Sequence, residues 1–236
     1  LKPSPEREWL DVSESDELQL LQASSGKANW RSANHQNAQG EVKLLYKGYK
    51  VFQNDNEIAQ AEQASPVAQL NGENWTCQIA QAEFWQNFPS AISCKKDRFK
   101  LCLFPAITGQ NYELQGGERK TQRFAVAVGY ATGTLHWLQQ PLRCQLAVAH
   151  YHTANAFPWF GPLQDDDPVN ALLTPALNGK HCFSAKRDII DEYGWRNFGD
   201  IFADHESLYL PPEHAPYISH YNNQYDPGFG FARQFA

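Results

Sequence analysis

The residue types best suited to acid–base chemistry crowd the last forty or so positions. Asp204-His205-Glu206 places an imidazole between two carboxylates, and Ser219-His220-Tyr221-Asn222-Asn223-Gln224-Tyr225-Asp226 follows it. A carboxylate beside a histidine fixes its tautomer and can raise its pKa, as a general acid or base requires. Eliminating across a uronic acid needs three groups held at one sugar. One neutralises the carboxylate, one removes the C5 proton, and one protonates the departing oxygen. Asn or Arg suits the first task, His or Tyr the other two. The catalytic candidates are therefore His220, Tyr221, His205 and Tyr225. Arg196, Asn197, Asn222, Asn223 and Trp195 are the candidates for holding substrate, with Trp195 offering a flat ring to a sugar face. The plain alternative for His220–Tyr225 is a polar junction that ties a helix start to the rest of the fold. For His205 it is an ordinary surface histidine.

The elements that must position these groups differ along the chain. From Leu18 to about His150 the sequence reads as successive strands: Leu18–Gln22, Val42–Tyr46, Tyr49–Phe52, Val67–Leu70, Trp75–Ile79, Phe99–Phe104, Arg123–Val128, Thr134–Trp137 and Cys144–Ala149. Gln53–Asn56 is a turn cluster, and Asn71-Gly72 is a hairpin signal. Short strands at this density predict an antiparallel β-sandwich over residues 1–152, with Trp30, Trp85, Phe88, Phe104 and Phe124 in its core. Residues 153–192 read as a linker, extended between Phe157 and Lys180 by prolines and by Asp165-Asp166-Asp167. From 193 to 236 a helical domain begins: Asp226-Pro227 is a helix-start signal, and Phe231 and Phe235 would share a face. That helix N-terminus would favour an anion beside His220–Tyr225.

Composition narrows the function classes. A formal charge of −6 over 236 residues argues against nucleic acid. No apolar run reaches the roughly 20 residues of a membrane span, and no signal-peptide pattern opens the chain. Aromatic residues make up 13%, with seven Trp and ten Tyr, enough to supply both a β-rich core and sugar-stacking faces. The basic runs Lys95–Lys100 and Glu118–Arg123 read as a solvated hairpin and a strand end. No cofactor is expected. The three adjacent aspartates could bind calcium, but a solvated acidic turn accounts for them. His150-Tyr151-His152 would put two imidazoles on one face of a strand, half of a metal site, and with His205 suggests a weaker reading as a metal-dependent hydrolase. The five cysteines show no zinc spacing; Cys94 and Cys102 flank a turn and could face each other on a hairpin. Asn74-Trp75-Thr76 matches a glycosylation acceptor, a pattern short enough to arise by chance. The chain begins with Leu and holds no Met, so a piece of a longer protein is expected.

Six strings also carry a likeness: Asn29–His35, Gln63–Val67, Phe84–Pro89, Glu113–Thr121, Tyr193–Asp200 and Ser219–Asp226. Together they resemble the exo-rhamnogalacturonan-lyase-like polysaccharide lyases, in which an N-terminal β-domain and a central β-sandwich precede a catalytic α/α toroid. The resemblance implies a mainly β chain, a sandwich followed by a linker and the first helical part of the toroid. It implies β-elimination on an acidic polysaccharide, rhamnogalacturonan or ulvan, in a secreted or periplasmic setting. The rest of the toroid would lie in the same polypeptide or in a companion chain. From a different class, a non-catalytic carbohydrate-binding or spacer module would show exposed aromatics in a row on one face. A lyase piece would instead show an open apolar patch where the toroid docks.

Overall fold

The computed structural model describes residues 1–13, 16–107, 111–114, 116–117, 119–129, 135–140, 142, 144, 146–155, 168–179, 182–199, 201–203 and 219–221. It divides into two compact units. The first holds residues 1–141 together with 191–199, and the second holds 142–190 and 200–236.

The first unit is mainly β and antiparallel throughout. Strands β1 (Leu18–Gln22), β2 (Tyr49–Gln53), β3 (Asn56–Ala61), β6 (Ser90–Lys95) and β7 (Arg98–Cys102) form a sheet in the order β3-β2-β1-β6-β7. Strands β4 (Val67–Asn71), β5 (Thr76–Gln81) and β8 (Phe124–Gly129) form a second sheet in the order β4-β5-β8. Register explains the core. Leu20 stands opposite Val51 on one side and Ile92 on the other, and Leu18 stands opposite Cys94. Period-two alternation sends all five to one face, where they are buried with Tyr49 and Phe84 against Ala68 and Ile79 of the second sheet. The other face of that sheet buries Val67 and Ala80 under Leu135, carried on a 3-10 helix at Leu135–Gln139. This is the sandwich that the alternating strands foretold.

A tight hairpin between β2 and β3 and a close backbone approach before β2 follow from their residues. Asn54 and Asp55 take φ of 47° and 69°, the left-handed pair a two-residue connection needs. Just before β2, Gly48 has φ of 75°, and a Cβ there would lie 2.1 Å from the Ala61 carbonyl oxygen, so only glycine fits.

Several expectations change. Val42–Tyr46 is not a strand; Val42 makes a single bridge to Gln36. Of the strand expected at Thr134–Trp137, Leu135 to Trp137 lie in the 3-10 helix, and where Cys144–Ala149 was expected to extend, helix α1 (Val148–Thr153) begins. His150 and His152 therefore sit on a helix, where positions two apart do not share a face, and the strand-based metal pairing is lost. Strands β3 and β6 are additional. Ser90–Lys95 is central and buried, so small residues serve where bulky β-formers signal an ordinary strand. Cys94 lies opposite Phe99, and Cys102 lies opposite Ala91. An offset of three residues sends the two sulfurs to opposite faces, and both thiols are free. Of the expected core rings, Phe88 is fully buried and Trp30 and Trp85 are partly buried, but Phe104 and Phe124 are exposed. Phe124, Val126 and Val128 alternate along β8 as an open apolar stripe. Among the described residues, β8 is an edge strand of the smaller sheet.

In the second unit, α2 (Asn170–Asn178) and α3 (Phe183–Ile190) occupy much of the stretch read as linker. The Ala- and Leu-rich run Asn170-Ala171-Leu172-Leu173 carries helix propensity, which outweighed the surrounding prolines, including Pro175 within α2. Asp165–Asp167 lies outside the described residues. Strands β9 (Ile201–Ala203) and β10 (Ser219–Tyr221) pair antiparallel, with His220 opposite Phe202. Asp226, Pro227, Phe231 and Phe235 lie outside the described residues. Among the described residues, no helix is long and apolar enough to cross a membrane.

Candidate functional site

A cleft of about 640 Å³ opens in the first unit, within the usual range for a small-molecule site. Besides Ala23, four pieces of chain far apart in sequence wall it. They are the 3-10 turn Ala33–His35 with the loop through Leu45, Pro89, the stretch around Ile107 and Asn111–Glu113, and helix α4 (Gly194–Asn197).

The turn at Ala33–His35 forms because Ser32 caps it, its hydroxyl accepting from the Asn34 N–H at 3.3 Å. Helix α4 is held by backbone bonds from the Gly194 N–H to Gln86 O (2.7 Å) and from the Trp195 N–H to Phe88 O (2.8 Å). Gly194 has φ of 92°, and a Cβ there would meet the Phe88 ring at 3.1 Å. Lys120 closes the far end, its Nζ donating to Phe198 O at 2.7 Å. So one part of the Glu118–Arg123 basic run is a structural tie rather than solvated charge.

Behind the cleft wall lies a buried polar cluster. Asp191 is fully buried at φ of 56°, accepting from the Ser25 hydroxyl at 2.5 Å and facing His35 Nε2 at 2.7 Å. Glu192, also fully buried, accepts from Asn34 Nδ2 at 3.0 Å. Asn197 Nδ2 donates to Asn34 O at 3.0 Å, and Arg196 Nη2 donates to Asn34 O and Gln36 O at 2.8 Å each. These bonds span 156 to 166 positions of sequence and fix α4 against the turn. The imidazole of His35 also meets the Phe88 ring edge-on, with centroids 5.3 Å apart.

The cleft carries an aromatic row. Phe104 and Tyr112 have centroids 5.5 Å apart, and so do Tyr112 and Trp195. Trp195 Nε1 donates to Glu113 O at 3.2 Å, which sets the tilt of the indole. The Tyr112 hydroxyl donates to Pro105 O. Burial, followed by the nearby Cys102, pushes its phenol up to about 12. Tyr112 is thus a neutral ring at physiological pH and not a base. A second aromatic run lies beside α4: Trp85, Tyr193 and Phe198 follow one another at 4.9 and 6.0 Å, with Lys27 Nζ 5.6 Å from the Trp85 ring.

The Tyr112 shift makes a measurable prediction. Its unfolded phenol titrates near pH 10 and its folded one near 12. Between those values the unfolded chain binds fewer protons, so stability falls as pH rises. Relative to wild type, Tyr112→Phe should flatten that loss above pH 10 in urea titrations. A wild-type phenol signal already complete at pH 10.5 would contradict the burial argument.

Of the residues singled out in the sequence, Trp195 and Arg196 line the cleft, and Asn197 is buried behind it as a tie. His220 and Tyr221 belong to β10 in the second unit, and the description there extends only to their backbone. His205, Asn222, Asn223 and Tyr225 lie outside the described residues. Sequence reasoning gave no role to His35, Asp191, Tyr112 and Glu113, although His35 and Glu113 sit within distinctive strings. Tyr112 adjoins one such string, and Asp191 lies two residues before another. Among the described residues, no group of three or more His, Cys, Asp or Glu could hold a metal ion. No family model matches the chain, and neither a curated protein nor a solved structure matches it.

Proposed function

We propose that the chain is part of a polysaccharide lyase that cleaves uronic-acid-containing polysaccharide by β-elimination, with the first unit as its saccharide-gripping sandwich. One observation carries the reading. The strings that resemble the lyase family, Asn29–His35, Phe84–Pro89, Glu113–Thr121 and Tyr193–Asp200, meet at one place. They are joined there by the bonds Asn34–Asn197, Gly194–Gln86, Trp195–Phe88, Trp195–Glu113 and Lys120–Phe198. That place is a polar cleft lined by an aromatic row, the surface a pyranose ring stacks on.

In the elimination, a base takes the C5 proton and electrons form the C4–C5 double bond. The C4 oxygen leaves with a proton from an acid. His220 and Tyr221 are the proton-transfer candidates and Asn222 and Asn223 the carboxylate partners; within the first unit, Trp195 offers a ring for a sugar to stack on. A helical toroid, in the same polypeptide or a companion chain, would complete the site. The assay uses rhamnogalacturonan and ulvan and follows the ultraviolet absorbance of the new double bond. In the protein that turns over, His220→Ala and Tyr221→Phe should each cut the rate about a hundredfold; unchanged rates in both would remove them from the chemistry.

The aromatic row, with its neutral phenol, gives specific support to a second reading, a non-catalytic carbohydrate-binding module. Saccharide binding without turnover by any form of the protein would favour it.

A further inference from the structure

The charges in the cleft are already matched. Lys43 Nζ lies 2.9 Å from a Glu41 carboxylate oxygen. Arg196 gives both Nη2 bonds to backbone carbonyls, and its Nη1 stands 4.0 Å from the Glu113 carboxylate. His35 turns Nε2 toward buried Asp191. Each cation among the described lining residues thus has an anionic or carbonyl partner, and the carboxylates of Glu41 and Glu113 share the same walls. An entering carboxylate would have to displace one of these partners and would face two like charges. A neutral, hydroxyl-rich ring meets none of that cost. It finds the Trp195 indole, with the Tyr112 ring edge-on beside it, for its C–H face, the amides of Gln36 and Asn111 for its hydroxyls, and the aliphatic Leu44 beside them.

We propose that this cleft is a subsite for a neutral pyranose and selects against uronic acids. The proposal rests on the carbohydrate reading above. It assigns the sandwich a different sugar of the polymer from the one that undergoes elimination.

The test measures binding of the methyl glycosides of glucose, galactose and rhamnose, and of galacturonic acid, to the full chain. Saturation-transfer NMR and calorimetry are run at 50 and 500 mM NaCl. At least one neutral glycoside should bind, with an affinity that changes less than twofold between the two salts, and the uronate should bind at least tenfold more weakly. Trp195→Ala should abolish the neutral signal, and Trp195→Phe, which keeps a stacking ring, should retain part of it. Glu113→Gln removes the carboxylate that faces Arg196 and should raise uronate affinity severalfold. Equal or tighter uronate binding that weakens with salt would overturn the neutral-sugar assignment and leave the carbohydrate reading standing. No binding by any of the four sugars would overturn both.

Discussion

Asp191→Ala should lower the stability of the first unit by about 2–5 kcal/mol, the cost of leaving two buried groups without their hydrogen-bond partner. The carboxylate is fully buried and serves two groups at once, the Ser25 hydroxyl and the His35 imidazole. Both would be left in the interior with a lost bond. The backbone adds to the cost, because φ of 56° is one that Asp tolerates better than Ala. Asp191→Asn keeps an acceptor and the conformational tolerance, so it should lose less. Urea denaturation followed by tryptophan fluorescence measures both. A loss under about 1 kcal/mol for Asp191→Ala would place the pair with exposed ion pairs in its worth and contradict its burial.

Phe88→Ala should cost a similar amount, about 3–5 kcal/mol, for a different reason. The ring is fully buried, meets His35 edge-on, and fills the space that Gly194 leaves by having no side chain. Truncation opens a cavity where three cleft walls meet, so the loss should extend beyond stability. At temperatures where the variant remains folded, saccharide binding should fall with it, because Trp195 hangs from the Phe88 carbonyl. A variant that loses stability but binds sugar as wild type does would show that the cleft is shaped without this ring.

The sandwich was legible because its strands obey simple alternation: Leu18, Leu20 and Val51 announce an inward face. Asn54-Asp55 and Asn71-Gly72 mark reversals that local sterics enforce. What escaped reading depends on neighbours. Ser90–Lys95 looks weak as a strand until it is seen to be central, with Ile92 and Cys94 on the inter-sheet face and Ala91 and Ser93 buried on the opposite one. Phe124 looks like core until β8 proves, among the described residues, to be an edge strand with its ring exposed. The site divided in the same way. Trp195 and Arg196 stood out by type, and the structure places both in the cleft. But Arg196 looked like a carboxylate binder, and only the positions of Asn34 and Gln36 reveal that its guanidinium is committed to their carbonyls. His35 and Asp191 are 156 positions apart, and no local pattern links them.

That separation governs the order in which the molecule can be assembled. As the chain emerges during synthesis, β1 through β8 are complete by Gly129, and the two sheets can close on contacts of modest sequence range. The cleft cannot form then, because its Trp195–Arg196 lip and the carboxylate that holds His35 arrive only after the chain has passed through 142–190. Closing so long a loop carries an entropic cost that grows only slowly with its length, and the bonds from Asp191 to Asn197 offset it. Until they form, His35 and Ser25 face an unfilled socket. The sandwich is thus the early product of folding and the cleft the late one, because its last ties wait until the chain has been made through Asn197.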